Sequence, residues 1–253
     1  FPITVMCALI GADPAVIPRL RSSLEALGLA FGMNPDFMPK VEEAHLTMDE
    51  FVHELVDGRR ANPRDDGETD LLDTLLGVTG SGGLTDREVH DLLIFLFVAG
   101  YDTSKNVLTF IMYVLLEHPD IYERCAGDIA YCRKVVEETL RFHSPATITR
   151  VVGKEFDYKD VRFTKGAMIF FPVSASGRDP QSFENPNAFL PERADKERHT
   201  AFGRGIHVCL GQFIARAQIE EGIHLISQRL KNPKLAGQVG HRPFFGVWGL
   251  KGM

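Results

Sequence analysis

The sequence predicts a mainly α-helical fold with a small β region towards its C-terminal end. Three observations carry that prediction. Apolar residues keep a helical spacing over about 33 positions, residues 85–117, with no breaker before Pro119. From Thr149 to Ser176 the pattern changes to β-branched and aromatic residues punctuated by Gly and Asp, which is the pattern of short strands. After Gly211 a helical period returns and holds to Leu230.

Taken in order, residues 1–60 read as helices broken at Gly11, Pro14, Gly32 and Pro35. In TMDEFVHELVDGRR, Met48, Phe51, Val52, Leu55 and Val56 share a helical face, and ANPRDDGETD (61–70) is a polar loop. Thr85 and Glu88 form a capping box, and Leu84 with Val89 forms a hydrophobic staple. The helix that follows is roughly 50 Å long at 1.5 Å per residue. It is apolar nearly all round from Leu92 to Val98, so it is expected to cross the interior. A second helix starts near Asp128 and stops before Pro145. In the last helix Phe213, Ile214, Ala217, Ile223 and Leu230 are the expected core residues, and the tail HRPFFGVWGLKGM reads as extended.

Composition narrows the class. The 253 residues can bury a substantial core, and 44% hydrophobic with 25% charged residues is ordinary for a globular protein. A net charge of −6 argues against nucleic acid as partner. No apolar run is long enough to span a membrane, and LLIFLFVAG (92–100) reads as a buried helix segment. Cys7, Cys125, Cys132 and Cys209 form no CxxC pair, which fits a reducing, cytoplasmic compartment. His207 and Cys209 have no second pair to complete a zinc site. The chain opens on Phe1 and Pro2 without a basic leader, and reads as a piece of a longer protein.

The stretch AFGRGIHVCLGQFIAR (201–216) carries the chemistry. Cys209 precedes a helix start, where partial positive charge and free N–H donors favour a thiolate. Gly203, Gly205 and Gly211 let backbone approach a large flat group or take positive φ, and Phe202 covers one side. A single thiolate with no second soft ligand suits an axial haem ligand. A lone cysteine in a glycine turn is more often a small buried hydrophobe.

The spacing of Phe202, Gly205, Cys209 and Gly211, F-x-x-G-x-x-x-C-x-G, resembles the haem-binding loop of the cytochrome P450 family, with His207, Ala215 and Arg216 in familiar places. Three further stretches follow the family's order: AGYDTS (99–104), EETLR with Glu138 and Arg141, and FLPER with Arg193. The resemblance covers only the C-terminal portion of the family's usual chain, so 1–253 is expected to be one haem-thiolate domain fragment. The family's first helices and first strands have no counterpart, and part of the substrate pocket should be missing with them.

The resemblance implies haem b, iron protoporphyrin IX, with Cys209 as the axial iron ligand. Phe202, Gly203, His207, Gly211, Ala99 and Arg150 would contact the cofactor, Arg150 and His207 as propionate donors. Asp102 and Thr103 take the positions of an acid–alcohol pair that delivers protons to bound dioxygen. Glu138, Arg141 and Arg193 would form a buried network behind the haem loop. Phe95, Val98, Ala146, Thr147, Ile148, Phe244 and Phe245 would line a pocket for a hydrophobic small-molecule substrate. The implied activity is an oxygen-dependent monooxygenase fed by a ferredoxin and its NAD(P)H-dependent ferredoxin reductase. Lys196, Arg198 and Arg204 form either a basic docking face for that donor or a solvated cluster. Two other readings stay open: a haem-binding fragment without turnover, and a haem-free remnant. Dimerisation is one way for such a fragment to cover its exposed core.

Overall fold

The computed structural model describes residues 1–65, 67–80, 82–194, 199–241 and 247–251. It is mainly helical with small two-stranded sheets, and its backbone divides into two compact units, Phe1–Lys105 and Asn106–Met253.

The first unit is helical. Helix α1 (Pro2–Ile10) has Pro at its first position and ends at Gly11, whose φ of 86° lets its N–H reach Cys7 O at 2.8 Å. Helix α2 (Ile17–Leu27) packs along α3 (Met38–Ala61). Met48, Phe51, Val52 and Val56 of α3 are buried, as the spacing predicts, together with Leu20 and Leu24 of α2. Asp70 caps α4 (Leu71–Gly77), a short helix that the sequence reading leaves out, and shares a capping box with Asp73. Arg59 donates to Asp70 Oδ2 at 2.8 Å and also to Asp73. Burial alone would push the Asp70 pKa up, but the hydrogen bonds from Arg59 and the Asp73 backbone outweigh that and hold it at about 2.

Helix α5 (Asp86–Leu115) is unbroken across the division between the units. Its capping box is formed: Thr85 N donates to Glu88 Oε2 at 2.8 Å and Glu88 N to Thr85 Oγ1 at 3.2 Å. The staple residue Val89 is buried and Leu84 packs on the same core. One expectation fails here. The segment Leu92–Val98 is not buried all round: Leu93, Ile94, Phe97 and Val98 are buried, but Phe95 is 54% exposed. At 3.6 residues per turn a seven-residue apolar run has to present some side chain on every face, and only one broad face meets the core of this unit.

In the second unit, α6 (Pro119–Gly127) and α7 (Ile129–Phe142) pack against α9 (Gln212–Arg229). Asp128 caps α7 by accepting from Tyr131 N at 2.9 Å. Ile111, Val135, Val136, Ile219 and Ile223 are fully or almost fully buried at the centre. Tyr122 on α6 donates to Leu230 O at 2.9 Å and so closes the end of α9. The expected core of α9 is corrected by the structure. Ile223 is buried, but Phe213, Ile214, Ala217 and Leu230 are exposed. Ile214 and Ala217 lie on the side of the helix away from Ile219 and Ile223, Phe213 sits in its first turn, and Leu230 already has extended backbone beyond its end.

The β region consists of antiparallel pairs. Strand β1 (Thr147–Val151) runs in register with β4 (Met168–Pro172), Thr149 opposite Phe170. Strands β2 (Phe156–Tyr158) and β3 (Val161–Phe163) form a hairpin, with Phe156 and Phe163 stacked at 4.8 Å. The end of the strand-like stretch, Val173–Ser176, is one helical turn, α8. The tail pairs β5 (Gly240–His241) with β6 (Leu250–Lys251), and Trp248 Nε1 donates to Ser144 O at 2.6 Å.

Candidate functional site

The loop before α9 is a folded turn. Cys209 N donates to Phe202 O at 2.8 Å, Gly203 N to Thr200 O at 2.8 Å and Val208 N to Gly205 O at 3.1 Å. Gly203 and Gly205 have φ of 70° and 76°, a region that L side chains avoid, so these two glycines are required by the turn itself. The turn ends at Gly211, the N-cap of α9. Among the four cysteines, Cys209 alone is exposed and the other three are buried. Around it Ile206 is 95% exposed, Leu210 80% and Phe213 76%. An exposed cysteine in a glycine turn, with uncovered apolar residues close by in the chain, is a donor set that fits an apolar macrocycle with one soft axial ligand.

Two charged groups of α7 tie down the segments around this loop. Glu137 accepts from Arg216 Nε at 2.6 Å and meets His199 Nε2 at 3.0 Å. Burial alone would push the Glu137 pKa up, but the hydrogen bonds from His199 and Arg216 win and hold it at about 2. Arg216 also lies over the Phe202 ring, 4.3 Å from its centre, and His199 Nδ1 accepts from Ala201 N at 3.2 Å. Neither Glu137 nor His199 is among the residues singled out from sequence; Glu137 is the unused half of the Glu-Glu pair in EETLR.

The neighbouring carboxylate, Glu138, is brought together with Arg141 and Arg193. Arg141 Nη2 stands 2.7 Å from Glu138 Oε1 and Arg193 Nε 3.1 Å from Oε2, with Glu138 and Arg141 side chains 4% and 2% exposed. Leu190 N adds a bond to Glu138 Oε1 at 2.8 Å. The two guanidinium groups then donate to the carbonyls of Gly177, Glu184, Asn185, Pro186 and Ala188. The segment 177–193 has almost no regular structure, so these donors replace the backbone pairing that a helix or sheet would supply.

Asp102 and Thr103 sit on α5 in the first unit. Thr103 Oγ1 donates to Ala99 O, one turn earlier, at 2.7 Å. Asp102 is buried and forms an ion pair with Lys105 at 2.6 Å, and Lys105 stands 3.5 Å from the partly exposed Glu25. Tyr101 OH also donates to Glu25, at 3.2 Å. Gly100 has a packing reason: a Cβ there would lie 2.4 Å from Met6 Sδ of α1.

The other selected residues are more dispersed. Arg150 is exposed on β1 with its guanidinium on Thr149 O at 2.8 Å, and His207 is exposed in the turn Gly205–His207. Ala146, Thr147 and Ile148 are half-buried, Ala146 bridging to Val247, and Thr147 Oγ1 is buried without a hydrogen-bond partner. In the first unit Val98 is buried and Ala99 half-buried. Phe244, Phe245, Lys196 and Arg198 lie outside the described residues, while Arg204 is exposed.

Fold and site together define a class: a helical protein with one long helix and an accessible thiol in a glycine turn ahead of its last helix. The sequence pattern of the family described as Cytochrome P450 matches residues 26–233. The chain is 32% identical over 254 residues to luteothin monooxygenase of Streptomyces thioluteus, covering 98% of this chain and 61% of that protein. It is 31% identical to pentalenic acid synthase of Streptomyces avermitilis, covering 96% of this chain and 58% of that protein. The crystal structure of Mycobacterium smegmatis CYP164A2 with econazole bound superposes with a TM-score of 0.87 at 26% identity, over 99% of this chain and 64% of that one. The chain belongs to the cytochrome P450 family, its fold is that of part of a full P450 chain, and it spans about three fifths of these relatives' length. No helix among the described residues is long and apolar enough to cross a membrane.

Proposed function

We propose that the chain carries the haem-thiolate part of an oxygen-dependent monooxygenase, with the Cys209 thiolate as axial ligand of haem b. The observation that carries this reading is the exposed Cys209 in a turn with two left-handed glycines, with exposed Ile206, Leu210 and Phe213 close to it in the chain. When bound, the haem would supply dioxygen activation, so that one oxygen atom enters a substrate C–H or C=C bond and the other leaves as water. Two electrons and two protons balance that reaction. A ferredoxin and its NAD(P)H-dependent reductase are the proposed electron source, and Arg204, exposed and five positions before Cys209, suits an acidic donor.

The chain's own residues take the remaining roles. Phe202 and the glycine turn hold the sulfur's position, with Arg216, Glu137 and His199 fixing Phe202 and Ala201 from behind. Arg150 is exposed and uses Nη1 on the carbonyl of its chain neighbour Thr149, and His207 is exposed, so both offer donors to a carboxylate such as a propionate. Thr103 gives its proton to Ala99 O and keeps its lone pairs for an incoming water. Asp102, Lys105 and Glu25 form a line of ionisable groups from a buried to a partly exposed position, suited to renewing a proton at Thr103. Half-buried Ala146, Thr147 and Ile148 suit a hydrophobic substrate. A cytoplasmic location belongs to this reading, with the four unpaired cysteines in its favour.

The test is the absorption spectrum of the 253-residue chain reconstituted with haem, reduced and exposed to carbon monoxide. The red-shifted Soret band of thiolate ligation is expected, and Cys209→Ser should abolish it. An unshifted band, or the same band in Cys209→Ser, refutes the ligand assignment. A second reading, haem held without turnover, is favoured by the coverage of only 61% of luteothin monooxygenase. It predicts the shifted band without donor- and dioxygen-dependent product. Under the first reading Thr103→Ala keeps the band and lowers product formed per electron consumed.

A further inference from the structure

In the first unit, α3 and α5 bring two histidines and an aspartate to one point. Asp49 and His53 are one turn apart on α3, and His90 comes from the first turns of α5. Their ligand-capable atoms, one from each residue, all lie within 4.8 Å of one another. His53 Nδ1 and His90 Nε2 face each other at 2.8 Å, and the Asp49 carbonyl oxygen is 2.9 Å from the first and 3.2 Å from the second. The Asp49 carboxylate places Oδ2 at 3.5 Å from His53 Nδ1 and Oδ1 at 3.7 Å from His90 Nδ1.

This cluster does not satisfy itself. One proton between two neutral rings serves at most one donor–acceptor contact, and either tautomer leaves the far nitrogen of His90 in need of a partner. His90 is only 6% exposed, and its buried Nδ1 has no hydrogen-bond partner among the described residues. Arg87 stands within electrostatic reach of Asp49, but its guanidinium is engaged by Asp91 at 2.9 Å. A cation takes up two nitrogen lone pairs and one carboxylate charge together. Ligands about 2.0–2.1 Å from zinc stand roughly 3–3.4 Å apart, and the observed separations of 2.8 and 3.5 Å bracket that range. Asp49 Oδ2, which already faces His53 Nδ1, is the carboxylate oxygen placed to be the third donor.

We propose that Asp49, His53 and His90 form a binding site for a divalent transition cation of the zinc class, which joins α3 to α5. Two imidazoles and a carboxylate favour zinc, cobalt or nickel over magnesium or calcium. Solvent completes the coordination on the side of the exposed His53.

The experiment uses the full chain in a Cys209→Ser background, so that the exposed thiol cannot capture the metal. Chelator-stripped protein is dialysed against graded zinc and assayed for bound metal, with melting temperature as a second readout. One zinc per chain is expected. Asp49→Asn and His53→Ala, on a partly and a largely exposed side chain, should each weaken binding at least tenfold and remove the zinc-induced rise in melting temperature. His241→Ala, on an exposed histidine elsewhere, should bind as the parent does. A loss below tenfold in either site variant, or an equal loss in His241→Ala, overturns the proposal.

Discussion

Glu138→Ala is the perturbation that bears most directly on how this chain holds its irregular half together. The Glu138 carboxylate faces Arg141 Nε and Nη2 at 2.8 and 2.7 Å, Arg193 Nε at 3.1 Å and Leu190 N at 2.8 Å. Removing it strands a buried guanidinium, Arg141, which costs about 3–5 kcal/mol. The orphaned Leu190 N–H adds about 1 kcal/mol or more. A domain's whole stability is about 5–15 kcal/mol, so Glu138→Ala should sit near the edge of folding. Urea titration of the full chain by far-UV circular dichroism measures the loss, with the slope unchanged if only stability moves. Many buried ion pairs can be exchanged for apolar residues with little loss. Here Glu138→Leu with Arg141→Met should recover nothing, because Arg141 also donates to the carbonyls of Gly177, Pro186 and Ala188. A loss under about 1 kcal/mol for Glu138→Ala, or a double variant as stable as the parent, would refute this account.

Three other outcomes follow. Burial, with the nearby Arg178 adding to it, pushes His143 down to about 4, so the folded state resists a proton that the unfolded chain takes up below about 6.5. Stability is therefore full above that value and falls with pH, by about 2 kcal/mol between pH 7 and 5; His143→Gln should flatten the slope in urea titrations at the two pH values. The depressed Glu137 works through a lower window: its contribution is present above its unfolded value near 4.3 and is lost as pH falls towards 2, and Glu137→Gln should show less change in urea midpoint between pH 5 and 3. On α9, Ile223→Ala should cost about 2–5 kcal/mol, whereas Phe213→Ser in the haem-free chain should fall within about 0.5 kcal/mol of the parent by thermal melts.

Legibility from the sequence followed how local the physics was. The start of α5 was readable because a capping box and staple involve residues within five positions of each other. The Cys209 turn was readable because its glycines, cysteine and following helix are contiguous. The phase of α9 was not. Phe213 and Ile214 look like core by hydropathy, and only the partners α6 and α7 decide that the buried stripe runs through Ile219 and Ile223. Glu137 stayed hidden for the same reason: its partners, His199 and Arg216, lie 62 and 79 positions away. Gly100 misled in another way. It sits inside an unbroken helix although glycine is a poor interior helix residue, and only the fold shows that its missing Cβ makes room for Met6.

Glu137 and Glu138 are neighbours on α7 and therefore point about 100° apart, and each governs a different irregular segment. Glu138 acts through Arg141 and Arg193 on the carbonyls of 177–188, while Glu137 acts through His199 and Arg216 on Ala201 and Phe202 at the base of the thiol turn. Neither segment has a helix or sheet to order its backbone, so charge-assisted hydrogen bonds from one rigid helix do so. Two carboxylates on one turn thus set the positions of two loops that, among the described residues, share no backbone pairing. The consequence separates this arrangement from ordinary surface ion pairing. Loss of Glu137 should loosen the Cys209 turn while the α6–α7–α9 core stays folded, so its variant should lose amide protection near Ala201 and Cys209 before it loses helical signal. If protection at that turn survives Glu137→Ala unchanged, the backbone bonds of Cys209 to Phe202 and Gly203 to Thr200 hold the turn without help, and α7 has no hand in placing the thiol.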